Sequence, residues 1–114
     1  MTARRFSRQQ RLVQADDFGQ VFAKPQRRSD KFFTILYINS DRDVGRLGLA
    51  IAKKRVRRAV DRNRIKRIIR ESFRQHQSEL TGKDIIVLAR DHTASSDNPT
   101  LFSSLQYHWE QMLK

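Results

Sequence analysis

Between residues 53 and 74 the chain reads KKRVRRAVDRNRIKRIIRESFR, which sets Lys53, Lys54, Arg55, Arg57, Arg58, Arg62, Arg64, Lys66, Arg67, Arg70 and Arg74 against only Asp61 and Glu71. The chemistry open to such a run is neutralisation of a polyanion. Guanidinium groups dominate, and they match phosphate oxygens two at a time and stack on bases. The local excess is +9, within a chain whose net charge is +12. Like charge held that close repels itself unless a partner supplies the counter-charge, and nucleic acid is the partner that fits. A merely solvated helix face would be laced with i,i+4 acid–base pairs, and these are nearly absent.

Other chemistry finds little support. His76, His92 and His108 are scattered, and the nearest acid pairs, Asp16–Asp17 and Asp41–Asp43, suit a helix cap and a turn. There is no Ser/His/Asp order, Gly-rich phosphate loop or metal-ligand spacing. With no cysteine in the chain, disulfides, thiolate metal sites and a thiol nucleophile are excluded. No catalytic or metal-binding residue is therefore assigned to the protein. The absence of helix-turn-helix, zinc and zipper patterns lowers a DNA reading. A membrane-surface helix would leave a broad apolar face free for lipid, whereas here the apolar residues are needed for a core. No apolar run approaches the ~20 residues of a membrane span, and residues 1–18 carry no secretory h-region. A soluble, cytoplasmic protein with no membrane and no DNA partner is expected.

The elements that must carry the cations follow from periodicity. A length of 114 residues with 38% hydrophobic content suits one domain, residues 1–114, with residues 1–10 as a flexible basic arm. Asp16 or Asp17 can cap a short helix running to about Ala23, where Pro25 stops it; Phe18, Val21 and Phe22 share one face. Residues 27–30 form a polar connection or a short edge strand. Residues 32–39 read as a strand, and residues 46–52 alternate as a second, joined to the first in a hairpin. From about Arg57 to Gln77 the period becomes 3.6. Ile65, Ile68, Ile69, Ser72 and Phe73 then share one arc, with Asn63, Lys66, Arg67, Arg70 and Arg74 on the opposite one. Arg62 and Arg64 fall off the centre of the basic arc, one reaching around the helix edge and the other tying it to a loop. Gly82 marks the exit, and residues 83–90 have the continuous apolar centre of a buried strand. Asn98 can cap a closing helix with Pro99 at its first position and a stripe of Leu101, Phe102, Leu105, Trp109, Met112 and Leu113. The expected fold is α+β, a two-layer sandwich in the order α-β-β-α-β-α, with helices packed on a central sheet.

These residues carry a family resemblance. The run from Asp61 to Arg67 (DRNRIKR), preceded by GLAIAKK from Gly48 to Lys54 and followed by RESFR from Arg70 to Arg74, resembles the bacterial ribonuclease P protein subunit. The likeness extends to Asp17-Phe18 and Val21-Phe22, the strand from Asp84 to Ala89 and the closing helix, and so covers nearly the whole chain. It implies a non-catalytic partner of a catalytic RNA that uses bound Mg²⁺ to remove the 5′ leader of precursor tRNA. Carried over by position, Arg62, Asn63, Arg64, Lys66, Arg67, Arg70 and Arg74 would touch the RNA subunit, with Lys53, Lys54, Arg57 and Arg58 nearby. Phe18 and Phe22 match leader-binding aromatics in a cleft between the first helix and the sheet. The family also implies a left-handed βαβ crossover around the basic helix, against the usual hand.

Phe32, Phe33 and Tyr37 can be core or base-stacking residues. The Gly48, Ala50, Ala52 stripe fits either a backbone-lined groove or tight helix packing. The competing functions are a ribosomal or other structural RNA-binding protein and a protein-only nuclease.

Overall fold

Ile85, Ile86 and Val87 are consecutive and fully buried, so their strand must be covered on both faces and suits an interior place in a sheet. In the computed structural model, which describes residues 21–23 and 25–113, that strand is central. The expected cap at Asp16 or Asp17, the basic arm and Phe18 lie outside the described residues. Four strands, β1 (Gln26–Ser29), β2 (Phe33–Asn39), β3 (Arg46–Ala50) and β4 (Lys83–Ala89), form one sheet in the order β1-β2-β4-β3. β2 and β3 therefore make no hairpin, contrary to the pattern of their sequences. β4 lies between them, antiparallel to β2 and parallel to β3. A parallel neighbour requires a crossover, and the basic helix (Ala59–His76) supplies it. The hairpin that does form joins β1 to β2, so the polar edge-strand reading holds. Asp30 Oδ1 closes its turn by accepting from the amides of Phe32 (2.9 Å) and Phe33 (2.8 Å).

Period-two alternation sorts the sheet into two faces. Phe33, Ile35, Tyr37, Leu47, Ile85, Val87 and Ala89 face the main core. Over them pack Ile65, Ile68, Ile69 and Phe73 of the basic helix, and Leu101, Leu105, Trp109 and Met112 of the closing helix (Asn98–Met112). Phe33 and Tyr37 are thus core residues, while Phe32 packs at the core's edge. Trp109 Nε1 donates to Ser72 Oγ at 2.9 Å, and its ring meets Phe73 edge-on at 6.3 Å, locking the two helices together. The opposite face carries Leu36 and Ile86, covered by Val21 of the helical residues 21–23, with Ile38, Ala50 and Leu88 partly buried around them.

The closing helix departs from expectation at both ends. Its cap is Asp97, whose side chain accepts from Thr100 N at 3.0 Å; Asn98 and Pro99 are its first two residues. Pro is tolerated there because first-turn amides have no intrahelical acceptor. At the other end Leu113 is exposed, and buried places on the stripe go instead to Ser104 and His108.

Two buried polar sites stand out, an ion pair and a histidine. Arg46 and Asp84 are register partners on the second face, both nearly inaccessible. The guanidinium is bidentate on the carboxylate, Nε to Oδ1 at 3.0 Å and Nη2 to Oδ2 at 2.8 Å. Removing one member strands the other charge. Asp84→Ala is expected to cost about 3–5 kcal/mol in urea unfolding, and Arg46→Met with Asp84→Leu to recover most of it; an unchanged midpoint for Asp84→Ala would remove the pair from the account.

The second group is His108, only 1% exposed, with Nε2 3.2 Å from Asp30 Oδ2 but neither ring nitrogen in hydrogen-bonding geometry. Burial pushes its pKa below 6.5; the Asp30 carboxylate opposes that shift and the Arg28 charge adds to it. The unfolded chain therefore takes up a proton that the folded one refuses, and stability falls as pH drops below 6.5. For Asp30, burial raises the pKa, but hydrogen bonds from Ser104, Phe33 and Phe32 outweigh it and leave the value below 3.8, so its loss begins only in stronger acid. His108→Gln is expected to flatten thermal stability against pH just below 6.5 while leaving the more acid limb intact; an unaltered profile would show that His108 does not titrate there.

Candidate nucleic-acid interface

Five buried side chains, Ile65, Ile68, Ile69, Ser72 and Phe73, hold one face of the basic helix on the sheet. That face is the one periodicity assigns to the core. The opposite face exposes Asn63, Arg67 and Arg70, with Lys66 half-buried beside them. None of the three cations forms an ion pair with a described residue.

The helix start is built from the loop before it. Val56 is fully buried, and Ala52 O accepts from the amides of Arg55 (3.1 Å) and Val56 (3.0 Å). That anchor leaves Lys53, Lys54, Arg57 and Arg58 exposed around the N-terminus of the helix. Arg58 is the N-cap residue and makes no side-chain capping bond. The local geometry thus concentrates positive charge where the helix dipole is already positive, which disfavours the free protein and favours an anion.

Three predicted contacts have internal work instead. Arg62 Nη1 donates to Val56 O (3.0 Å) and Arg57 O (2.8 Å), holding the loop. Arg64 reaches Asn98 Oδ1 at 2.6 Å and the carbonyls of Ser96 (3.2 Å) and Ala94 (3.3 Å), fastening the basic helix to the start of the closing helix. These are the edge-reaching and loop-tying roles that their off-centre positions suggested. Arg74 pairs with Glu71, whose pKa is lowered mainly by that hydrogen bond.

A second basic feature lies on the other face of the sheet. Thr34, Leu36 and Leu88 line a groove of about 400 Å³ together with Arg27, Arg55, Arg90 and Asp91. Leu36 is shared with the Val21 cluster, so the groove opens beside the N-terminal helical segment. Arg55 pairs with Asp91 at 2.8 Å, and Arg90 donates to Asp30 O at 2.7 Å. Phe22, on the helical segment, is 47% exposed and does not belong to the core. The small-residue positions Gly48 and Ala50 lie on this same face, opposite Ile86 and Leu88. Sequence reasoning missed Arg27 and Arg90, and counted Arg55 only within the basic run. The available signal was alternation along β1 and β4, which puts Arg27 in register with Leu36 and carries Arg90 onto the face of Leu88.

Asp30, Ser104 and His108 do come together, a combination that invites a hydrolase reading. Yet Ser104 donates to the carboxylate of Asp30, and His108 faces that same oxygen. A nucleophile needs its hydroxyl on the imidazole, and both imidazole nitrogens lack a hydrogen bond. The trio is a structural fastening between the β1–β2 turn and the closing helix.

Comparison with known proteins places this architecture. The family profile for ribonuclease P matches residues 6–113. The ribonuclease P protein component of Nitrosococcus oceani is 46% identical over 96% of this chain and 92% of its own. That of Pseudomonas syringae is 42% identical over 98% and 85%. Among solved structures, the RNase P protein of Staphylococcus aureus superposes with a TM-score of 0.82 at 34% identity, covering 92% of this chain and 95% of its own. The RNase P protein of Thermotoga maritima gives 0.77 at 27%, covering 89% and 96%. The chain belongs to the ribonuclease P protein family, as the protein component of the ribonucleoprotein that processes tRNA 5′ ends.

Proposed function

We propose that the protein joins two RNAs through its two faces. Arg67, Arg70 and Lys66, with Asn63 and the loop cations Lys53, Lys54, Arg57 and Arg58, bind phosphates of the catalytic RNA subunit. The groove on the second face, with Phe22, receives the single-stranded 5′ leader of precursor tRNA; Phe18, the other leader-binding candidate, lies outside the described residues. The carrying observation is the row of cations without ionic partners among the described residues, on a helix anchored by isoleucine. Arg62, Arg64 and Arg74 act mainly by holding that row in place. The loop of residues 53–58 links the sites, since Arg55 borders the groove while Arg57 and Arg58 flank the helix start.

In this reading the protein supplies no catalytic group. The Mg²⁺ expected in the holoenzyme is assigned to the RNA. Among the described residues no three His, Asp or Glu side chains gather to hold an ion. Asp84, Asp91 and Glu71 are each committed to an arginine. We place the complex in the cytoplasm; no helix among the described residues is long and apolar enough to cross a membrane.

Reconstitution with a bacterial ribonuclease P RNA and precursor tRNA at low Mg²⁺ tests the whole reading. Cleavage stimulated only when both components are present supports it. Failure to stimulate favours a structural RNA-binding role, and cleavage by protein alone a nuclease. Arg67→Ala and Arg70→Ala are each expected to weaken RNA-subunit affinity and to flatten the log–log salt dependence by about 0.7–0.9; an unchanged slope would mean that these side chains never meet phosphate. Phe22→Ala is expected to weaken precursor binding by about 1–3 kcal/mol while sparing mature tRNA. Equal losses for both RNAs would remove Phe22 from the leader site.

A further inference from the structure

Strand alternation gives β1 one arginine for each face. Arg27 is in register with Leu36 and borders the groove, whereas Arg28 is in register with Ile35 and turns toward the closing helix. There its guanidinium carbon lies 5.8 Å from the centre of the Tyr107 ring, and its Nε is buried without a hydrogen-bond partner. No described residue forms an ion pair with Arg28. Tyr107 is 52% exposed. Across a shallow pocket of about 460 Å³ stands Phe32, with Lys31 Nζ 5.3 Å from its ring centre. Thr100 and Ser103 line the space between the rings; the Thr100 hydroxyl is engaged with the Asp97 carboxylate, whereas that of Ser103 has no partner among the described residues.

The pocket is preformed. Phe32 is fixed by its amide on Asp30 and by its carbonyl, which accepts from Arg90 N at 2.9 Å and from Thr93 Oγ1. The carboxylate in the pocket wall, that of Asp30, is occupied by two backbone amides and Ser104, and Asp97 beside it is engaged by Thr100. What remains on offer is two aromatic rings, the Ser103 hydroxyl and two cations. That set matches an unpaired nucleotide: a base against the rings, its edge on the Ser103 hydroxyl and its phosphate on Arg28 and Lys31. An apolar peptide would leave both cations unanswered.

We propose that the pocket between Phe32 and Tyr107 is a further RNA contact, taking one unpaired nucleotide on the helix-bearing side of the sheet. It rests on the RNA-binding reading above, but uses neither the basic helix arc nor the groove. Arg64, bonded to Asn98, ties the basic helix to the end of the closing helix that borders the pocket, so one bound strand can run from the helix into it.

The test is amide NMR on the full chain, titrated with a short oligouridylate and with an abasic oligomer of equal length. Oligouridylate is expected to shift Phe32, Ser103 and Tyr107, and the abasic oligomer to leave them in place. Tyr107→Ala, at an exposed position, is expected to weaken the oligouridylate response of Phe32 and Ser103 roughly tenfold or more, and Arg28→Gln to weaken it and lower its salt dependence. Equal shifts with both oligomers, or shifts confined to the basic helix and the groove, would overturn the pocket while leaving RNA binding intact. Absence of shifts anywhere would instead sink the RNA reading itself.

Discussion

The burial of β4 on both faces is the constraint from which the rest follows. A strand with three consecutive inaccessible residues, Ile85, Ile86 and Val87, suits the interior of the sheet, with a neighbour on each edge. One neighbour, β3, is parallel, so the chain between them must cross over the sheet, and that crossover is the basic helix. The same insertion puts Asp84, the second residue of β4, opposite Arg46 of β3 in an enclosed position. Each charge alone would be costly there; together they satisfy one another at 2.8–3.0 Å. The placement of the basic helix and the buried ion pair thus share one cause.

Charge is divided by the same architecture. Asp84, Asp91 and Glu71 are committed to Arg46, Arg55 and Arg74, and Asp30 to hydrogen bonds of its own turn. Those four acids are engaged elsewhere, and Lys66, Arg67 and Arg70 form no ion pair with a described residue. Arginines split in the same way. Arg62 and Arg64 spend donors on carbonyls and on Asn98, and thereby fix the loop and helix from which Arg57, Arg58, Arg67 and Arg70 project. Some members of the run position it, and others are left exposed.

Much of this was legible in residue types and spacing. The isoleucine arc of the basic helix needs only a 3.6 period, and Ile65, Ile68, Ile69, Ser72 and Phe73 are the buried set. Leu101, Leu105, Trp109 and Met112 of the closing helix were equally visible, whereas Leu113, read into the same stripe, is exposed. Pairing was not, because alternation reports which face a residue takes and says nothing about which strand lies beside it. The run Ile85-Ile86-Val87 held the needed clue, since a strand without a polar face makes a poor edge. His108 and Ser104 escaped notice because their burial depends on Asp30, seventy-four residues from Ser104 in sequence. Arg27, Arg55 and Arg90 form one groove only after three strands are assembled.

A surface built this way ties the protein's stability to its partner. Uncompensated like charge weakens the compact state, and salt or a bound polyanion relieves it. Any RNA that binds the folded form alone adds stability by mass action, in proportion to the logarithm of its concentration over its dissociation constant. The aliphatic anchor must therefore hold the basic helix in place before RNA arrives. The buried side chains Ile65, Ile68, Ile69 and Phe73 do so with apolar area, which is insensitive to the repulsion on the opposite face. Because the anchor and the charged row occupy opposite arcs of one helix, affinity for phosphate can rise without disturbing the core.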